Sequence, residues 1–207
     1  MSGIVAQNIN RQSGLIKAPE GGGGAWTFIS KLTSDGSDAD LSFTSGIDGT
    51  YAEYLFYFVN IHPETDNTKI TFQGSTDSGS SYGVNITSTR FHAFHRENDA
   101  TPEFAYDTSE DLAESTNFQN ASGASGNDND QSISGYLHLF NPSSTTFVKH
   151  FLIQANSIHG LDASFHTFTA GYLNTTSAID AIQFKMDADE IQGGSIFLHG
   201  LTTWVES

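Results

Sequence analysis

The chain has 207 residues and a formal charge of −16, from 24 acidic against 8 basic side chains, with no cysteine. That excess of acid argues against a surface that tracks nucleic acid, which needs clustered Lys and Arg, and the missing cysteines exclude disulfides and thiolate metal sites. Hydrophobic residues make up 37% and aromatics 12%, with 16 Phe, which is enough for one aromatic-rich core that needs no staples and suits a reducing bacterial cytosol.

Residues 1–24 stand apart from the rest. Ile4, Val5, Ile9, Leu15 and Ile16 are scattered among polar residues, and the segment ends in Pro19-Glu20-Gly21-Gly22-Gly23-Gly24. Four consecutive glycines make a hinge rather than an element interior. The segment reads either as a loose tail or as an arm whose five apolar residues anchor on a neighbouring subunit. No basic and apolar leader pattern opens the sequence, so export by a signal peptide is not expected, and no apolar run is long enough for a membrane span.

Residues 25–207 read as a single β domain. Short alternating segments bounded by Gly, Ser, Asn and Asp predict strands near Trp26–Thr33, Ala39–Thr44, Tyr51–His62, Lys69–Gly74 and Val84–His95, then Ser132–Asn141, Phe147–Asn156, Ser164–Asn174, Ala178–Met186 and Ser195–Trp204. In Tyr51–Ile61 the period of two puts Tyr54, Phe56 and Phe58 on one face and Leu55, Tyr57, Val59 and Ile61 on the other. Both faces are apolar, so the strand is expected inside a sheet, covered by a second sheet on one side and by a neighbouring subunit or loop on the other. Asp77-Ser78-Gly79 offers a hairpin turn, and Asn141-Pro142 starts a turn that makes 132–141 and 147–156 an antiparallel hairpin. Between Asn98 and Asp130 the β rhythm breaks. Thr108 and Ser109 precede Glu110, Asp111 and Glu114, which predicts a short helix over Ser109–Ser115 inside a long loop. The fold class that follows is all-β: a two-sheet antiparallel sandwich of jelly-roll or Greek-key type, with an N-terminal arm and one short helix.

Candidate chemistry is sparse. His92 and His95, three apart on a strand, point to opposite faces; His138 and His150 approach across the predicted hairpin but lack a third ligand. The clusters Asp35/Asp38/Asp40 and Asn127–Asp130 read as Asx turns or as oxygen ligands for calcium, without the spacing of a helical calcium loop. No Gly-x-Ser-x-Gly elbow lies between a strand and a helix, no Walker or dinucleotide loop occurs, and Glu53, Glu97, Asp99 and Glu103 have no visible carboxylate partner. No catalytic residue, cofactor or metal is therefore predicted. Trp26, Trp204 and Tyr172 would be stacking platforms if the sandwich bound carbohydrate, and core or interface aromatics otherwise.

Several strings together resemble small structural proteins of marine tailed bacteriophages. They include Gly24-Ala25-Trp26-Thr27-Phe28-Ile29-Ser30, Ile47-Asp48-Gly49-Thr50-Tyr51, Asn60-Ile61-His62-Pro63, Phe72-Gln73-Gly74-Ser75-Thr76-Asp77-Ser78-Gly79, and the closing Gly193-Gly194-Ser195-Ile196-Phe197-Leu198-His199-Gly200-Leu201. The resemblance covers most of Ala25–Leu201 and carries no catalytic set. It implies a non-enzymatic virion protein assembled in the host bacterial cytoplasm, either a decoration or cement protein on the capsid exterior or a tail- or fibre-associated protein. Its partners would be the major capsid protein or tail proteins and other copies of itself, with no membrane or nucleic acid. The expected contact residues are Ile4, Val5, Ile9, Leu15 and Ile16 of the arm, with Tyr54, Phe56 and Phe58 of the two-faced strand.

Overall fold

The computed structural model describes residues 26–100 and 102–201. Within them the chain forms twelve strands: β1 (Trp26–Thr33), β2 (Leu41–Phe43), β3 (Glu53–Pro63), β4 (Ile70–Ser75), β5 (Ile86–Arg96), β6 (Glu103–Tyr106), β7 (Gln119–Asn120), β8 (Ile133–Phe140), β9 (Lys149–His159), β10 (Ala163–Leu173), β11 (Ala181–Met186) and β12 (Ile191–Leu201). They make two antiparallel sheets, one of eight strands in the order β1-β12-β3-β8-β9-β10-β5-β6 and one of four in the order β2-β11-β4-β7. Each of the ten segments predicted from alternation holds a strand, and Trp26–Thr33 has the predicted bounds. The 132–141 and 147–156 segments pair as expected, with Leu137 opposite Ile153, after a turn in which the Ser144 amide donates to the Asn141 carbonyl at 3.1 Å.

The core lies between the sheets. Phe184 of β11 sits with its ring 5.3 Å from both Phe56 and Phe58 of β3, and Phe72 of β4 meets Phe151 of β9 edge-on at 5.0 Å. Each such ring, withdrawn from water, contributes roughly 1.5–3 kcal/mol.

The two sheets differ in width, and the long excursion after β6 makes up the difference. Residues 107–126 supply β7 at the edge of the small sheet and continue from it across the inner side of β5, β9 and β10. Gly123 lets this wall lie flush, since a Cβ there would fall 2.6 Å from the Phe165 ring. Polar side chains bolt it down: Ser157 donates to the Ala124 carbonyl at 3.0 Å, and the Gln73 amide donates to the carbonyls of Thr116 and Asn117 at 3.1 and 3.0 Å. At its centre Arg90, withdrawn from solvent, donates to Asp107 at 3.1 Å and to the Ser122 carbonyl at 2.8 Å. Burial lowers the Arg90 pKa, opposed by the charges of Glu110 and Asp107.

The structure corrects the sequence at several points. Residues 109–115 are not helical: one turn forms, with the amides of Glu110 and Asp111 donating to the Asp107 carbonyl. The following backbone groups are then taken by β5. Ser88 N donates to Leu112 O at 2.9 Å, and Ile86 and Ser115 exchange bonds of 2.8 and 3.0 Å, while Glu114 adopts φ 48°. Donors and acceptors spent on a neighbouring strand cannot propagate a helix. The turn at Asp77–Gly79 has its positive φ values, 59° at Ser78 and 82° at Gly79, yet it leads from β4 in one sheet to β5 in the other rather than closing a hairpin. Ile61 points into the core, not outward with Tyr57 and Val59. A bulge at Asn60, φ 52°, inserts an extra residue and reverses the parity beyond it. A second irregularity on the facing strand, with Gly194 at φ 102°, accommodates the first.

Candidate functional site

Cross-strand partners share a face, so the register of the eight-stranded sheet identifies every outward side chain. On β3 these are Glu53, Leu55, Tyr57 and Val59; the paired positions on β8 are Phe140, His138 and Tyr136, and on β12 His199, Phe197 and Ser195. The same rule places Leu152 and Gln154 of β9, His166 and Phe168 of β10, Phe91 and His95 of β5, and Phe104 and Tyr106 of β6 on this face.

These side chains form one connected path from edge to edge. Phe28 on β1 packs edge-on against His199 at 5.6 Å; His199 meets Tyr57 at 5.8 Å, and Tyr57 meets Tyr136 at 6.4 Å. The Tyr136 hydroxyl donates to Gln154 Oε1 at 2.5 Å, and the Gln154 amide donates to His166 Nε2 at 2.9 Å. His166 then packs on Phe168 at 4.6 Å, Phe168 stacks on Phe91 at 4.9 Å, and Phe91 reaches Phe104 at 5.5 Å. Since strands are spaced about 4.8 Å apart, the path is about 34 Å long. Accepting an amide proton fixes His166 as the neutral imidazole, and burial also pushes its pKa down.

Two properties set the face apart. Among the described residues, eight of the ten large apolar side chains that stay exposed lie on it, including Phe28 at 57%, Phe104 at 74% and Leu152 at 49%. A chain with 24 acids also places only Glu53 at an outward strand position there, hydrogen-bonded to His138, and Lys31 is the matching lone base, 5.2 Å over the Phe197 ring. The surface is shallow, with three open clefts of about 460, 490 and 320 Å³ near Phe104, Tyr172 and Gln154. An aromatic expanse of this breadth, with one acid and one lysine among its outward strand positions, is suited to another surface and provides no enclosed pocket for chemistry.

The predicted contact residues divide in two. Tyr54, Phe56 and Phe58 are at most 2% exposed and belong to the core, so they cannot touch a partner; the outward face of their strand is carried by Tyr57 and Val59 instead. The Tyr54 hydroxyl is held by Asp48, accepting from its amide at 3.0 Å. Ile4, Val5, Ile9, Leu15 and Ile16, with the whole arm, lie outside the described residues, as does Trp204. His92 and His95 do point to opposite faces: His92 turns inward to Asp107 at 2.6 Å, and His95 outward to Asp99 at 3.1 Å. His138 and His150 share the outer face, and among the described residues no three His, Cys, Asp or Glu groups converge as a metal would require. The aspartates of Asp35–Asp40 are used in turns, Asp38 accepting from the Asp35 amide at 2.8 Å. Trp26 and Tyr172 stand on the outer face beside His138 and His150, at 5.8 and 6.1 Å. The ring path on β8, β10 and β5 escaped the sequence reading, although Tyr136-x-His138-x-Phe140 and His166-x-Phe168 alternate with core residues as plainly as β3 does. No protein-family model matches the chain, and no curated protein sequence matches it.

Proposed function

We propose that this chain is a non-enzymatic structural protein that works by assembly, and that its assembly is a bacteriophage virion, where it decorates or cements the exterior of the capsid. The observation that carries the reading is the outer face of the eight-stranded sheet: rings linked from edge to edge, through Gln154 on β9, with Glu53 as the only acid at an outward strand position among the described residues of a chain of charge −16. Contacts made by a subunit to identical neighbours need area and shape rather than a reactive group, and this face provides both. The resemblance of the Gly24–Ser30, Phe72–Gly79 and Gly193–Leu201 strings to phage structural proteins supplies the virion context. In this reading the two sheets form a jelly-roll or Greek-key sandwich of the kind used in capsid domains.

Mass spectrometry of particles purified from cultures that express the chain, followed by immunogold microscopy, tests the proposal. Label spread over the head is the expected result. Label on the tail or fibres would move the protein to that part of the virion, and absence from purified particles would overturn the virion reading.

A further inference from the structure

We infer that the outer face of the eight-stranded sheet is a homophilic docking surface, on which a second copy of this chain seats its own outer face about a twofold axis. The inference deepens the assembly reading above and rests on it for the claim that the face is an interface at all. Three observations select a second copy as the occupant.

The first is charge. Two bodies of −16 repel through most of their surface, and a basic partner would seek the acidic remainder rather than this face. The outer face is where a like-charged copy meets few carboxylates, because Glu53 is the one acid among its outward strand positions and is engaged by His138, while Glu103 lines only the cleft at the β6 edge. The second is size. The sheet is about 34 Å across and about 36 Å along its eleven-residue strands, an area on the order of 1,000 Å², against the roughly 800 Å² that each partner contributes to a standard stable interface. A saccharide would cover one cleft of about 320 Å³ and leave most of the ring path wet. The third is self-complementarity. Tyr57 and Tyr136 hydroxyls, the Gln154 amide and the imidazoles of His138, His166 and His199 each can donate and accept, so a twofold-related copy offers matching partners without a second chemistry.

Leu152 is the decisive position. It lies on β9, next to the midline of the sheet, is 49% exposed, and faces outward beside His138 of β8. In a face-to-face pair a charge there is buried near its own symmetry mate. Leu152→Glu should therefore weaken self-association roughly 100-fold or more. Phe147→Glu changes an exposed apolar residue outside this sheet, 69% exposed, and should leave association unchanged.

Sedimentation equilibrium of the full chain at pH 8 decides the matter. The expected result is a species of twice 22.3 kDa for the parent and for Phe147→Glu, and a 22.3 kDa monomer for Leu152→Glu with an unaltered circular dichroism spectrum. A parent that stays monomeric to about 100 µM, far above a standard interface's Kd, would overturn the inference, as would equal weakening by both substitutions. Binding of the monomeric parent to a glycan array, abolished by Leu152→Glu, would also overturn it and assign the face to carbohydrate. Competition for particle incorporation separates the two readings. Loss of Leu152→Glu from particles despite a monomeric parent leaves the virion assignment standing without homophilic pairing, whereas a dimer absent from particles leaves pairing standing alone.

Discussion

Arg90→Met should be among the most damaging single changes outside the aromatic core. The side chain is 1% exposed, its Nε donates to Asp107 at 3.1 Å, its Nη2 to the Ser122 carbonyl at 2.8 Å, and its Nη1 lies 3.7 Å from Glu110. Met fills most of the volume but leaves Asp107 with only the His92 contact of 2.6 Å, and the Ser122 carbonyl without its charged donor. Glu110 is less affected, because Lys69 still reaches it at 3.0 Å. Removing one member of a buried ion pair typically costs roughly 3–5 kcal/mol. For a chain of this size that corresponds to roughly 6–20 °C in Tm, a large part of a domain's usual 5–15 kcal/mol. Urea unfolding followed by circular dichroism measures it directly, with the m-value checking that the transition stays cooperative. Adding Asp107→Asn to Arg90→Met should recover part of the loss, since a neutral amide no longer sits as an uncompensated charge. A loss below about 1 kcal/mol for Arg90→Met, with m unchanged, would show that this charge cluster is not the bolt described here.

Gly194→Ala should destabilise by about 1–3 kcal/mol, because φ is 102° and the new Cβ would collide with the Asn60 backbone; thermal melting reads it, and a neutral result would refute the bulge account. Asp77, held by the hydroxyls of Ser81 and Ser75, has its pKa lowered to about 2. Its folded-state value lies below the unfolded one, so its contribution is complete above about pH 4 and disappears as pH falls through about 2. NMR titration of the Asp77 carboxyl checks the value, and Asp77→Asn should remove this component of the acid limb. Self-association should weaken as pH falls below the ordinary imidazole range, because protonating His166 breaks its bond from Gln154 and places charge on the face. Burial depresses the His166 pKa, so the neutral form persists down to a lower pH than in the unfolded chain; His95 and Glu103 are the ionisable groups lining the same cleft. Light scattering between pH 8 and pH 5 reads this, and pH-independent association would refute it.

The sequence made the strands legible because most of them alternate strongly over six residues or more. It hid β6 and β7, which have four and two residues and sit in polar surroundings. The helix expected over Ser109–Ser115 had proper caps and first-turn acids. It failed because β5 offered the same backbone groups a partner, a competition between distant segments that no local pattern records. The two apolar faces of Tyr51–Ile61 were read correctly up to Val59, but the reversal at Asn60 depends on a backbone angle, and it carried Ile61 into the core. The candidate site was half visible. Tyr57 and Val59 signalled an unmatched outer face, whereas its continuity to Phe104 depends on strand order, which brings β3, β8, β9, β10 and β5 side by side.

The wall formed by residues 107–126 has a consequence for how the molecule opens. Its attachments are mostly hydrogen bonds and ion pairs from Gln73, Ser88, Arg90 and Ser157, and its own core contributions are the small Ala121 and Ala124 and the partly buried Leu112. A panel fastened by polar bolts has less apolar area to lose than the sheets it covers, so it should open as a cooperative unit at a lower free energy than global unfolding. Detachment would bare the inner side of β5 and β10, including Thr167 and Thr169, and leave the Phe184 cluster intact. Native-state amide exchange would then divide the protein into a slow aromatic sandwich and a faster panel. The exposed Asn127–Asp130 stretch at the end of that panel is where limited proteolysis should make its first cut.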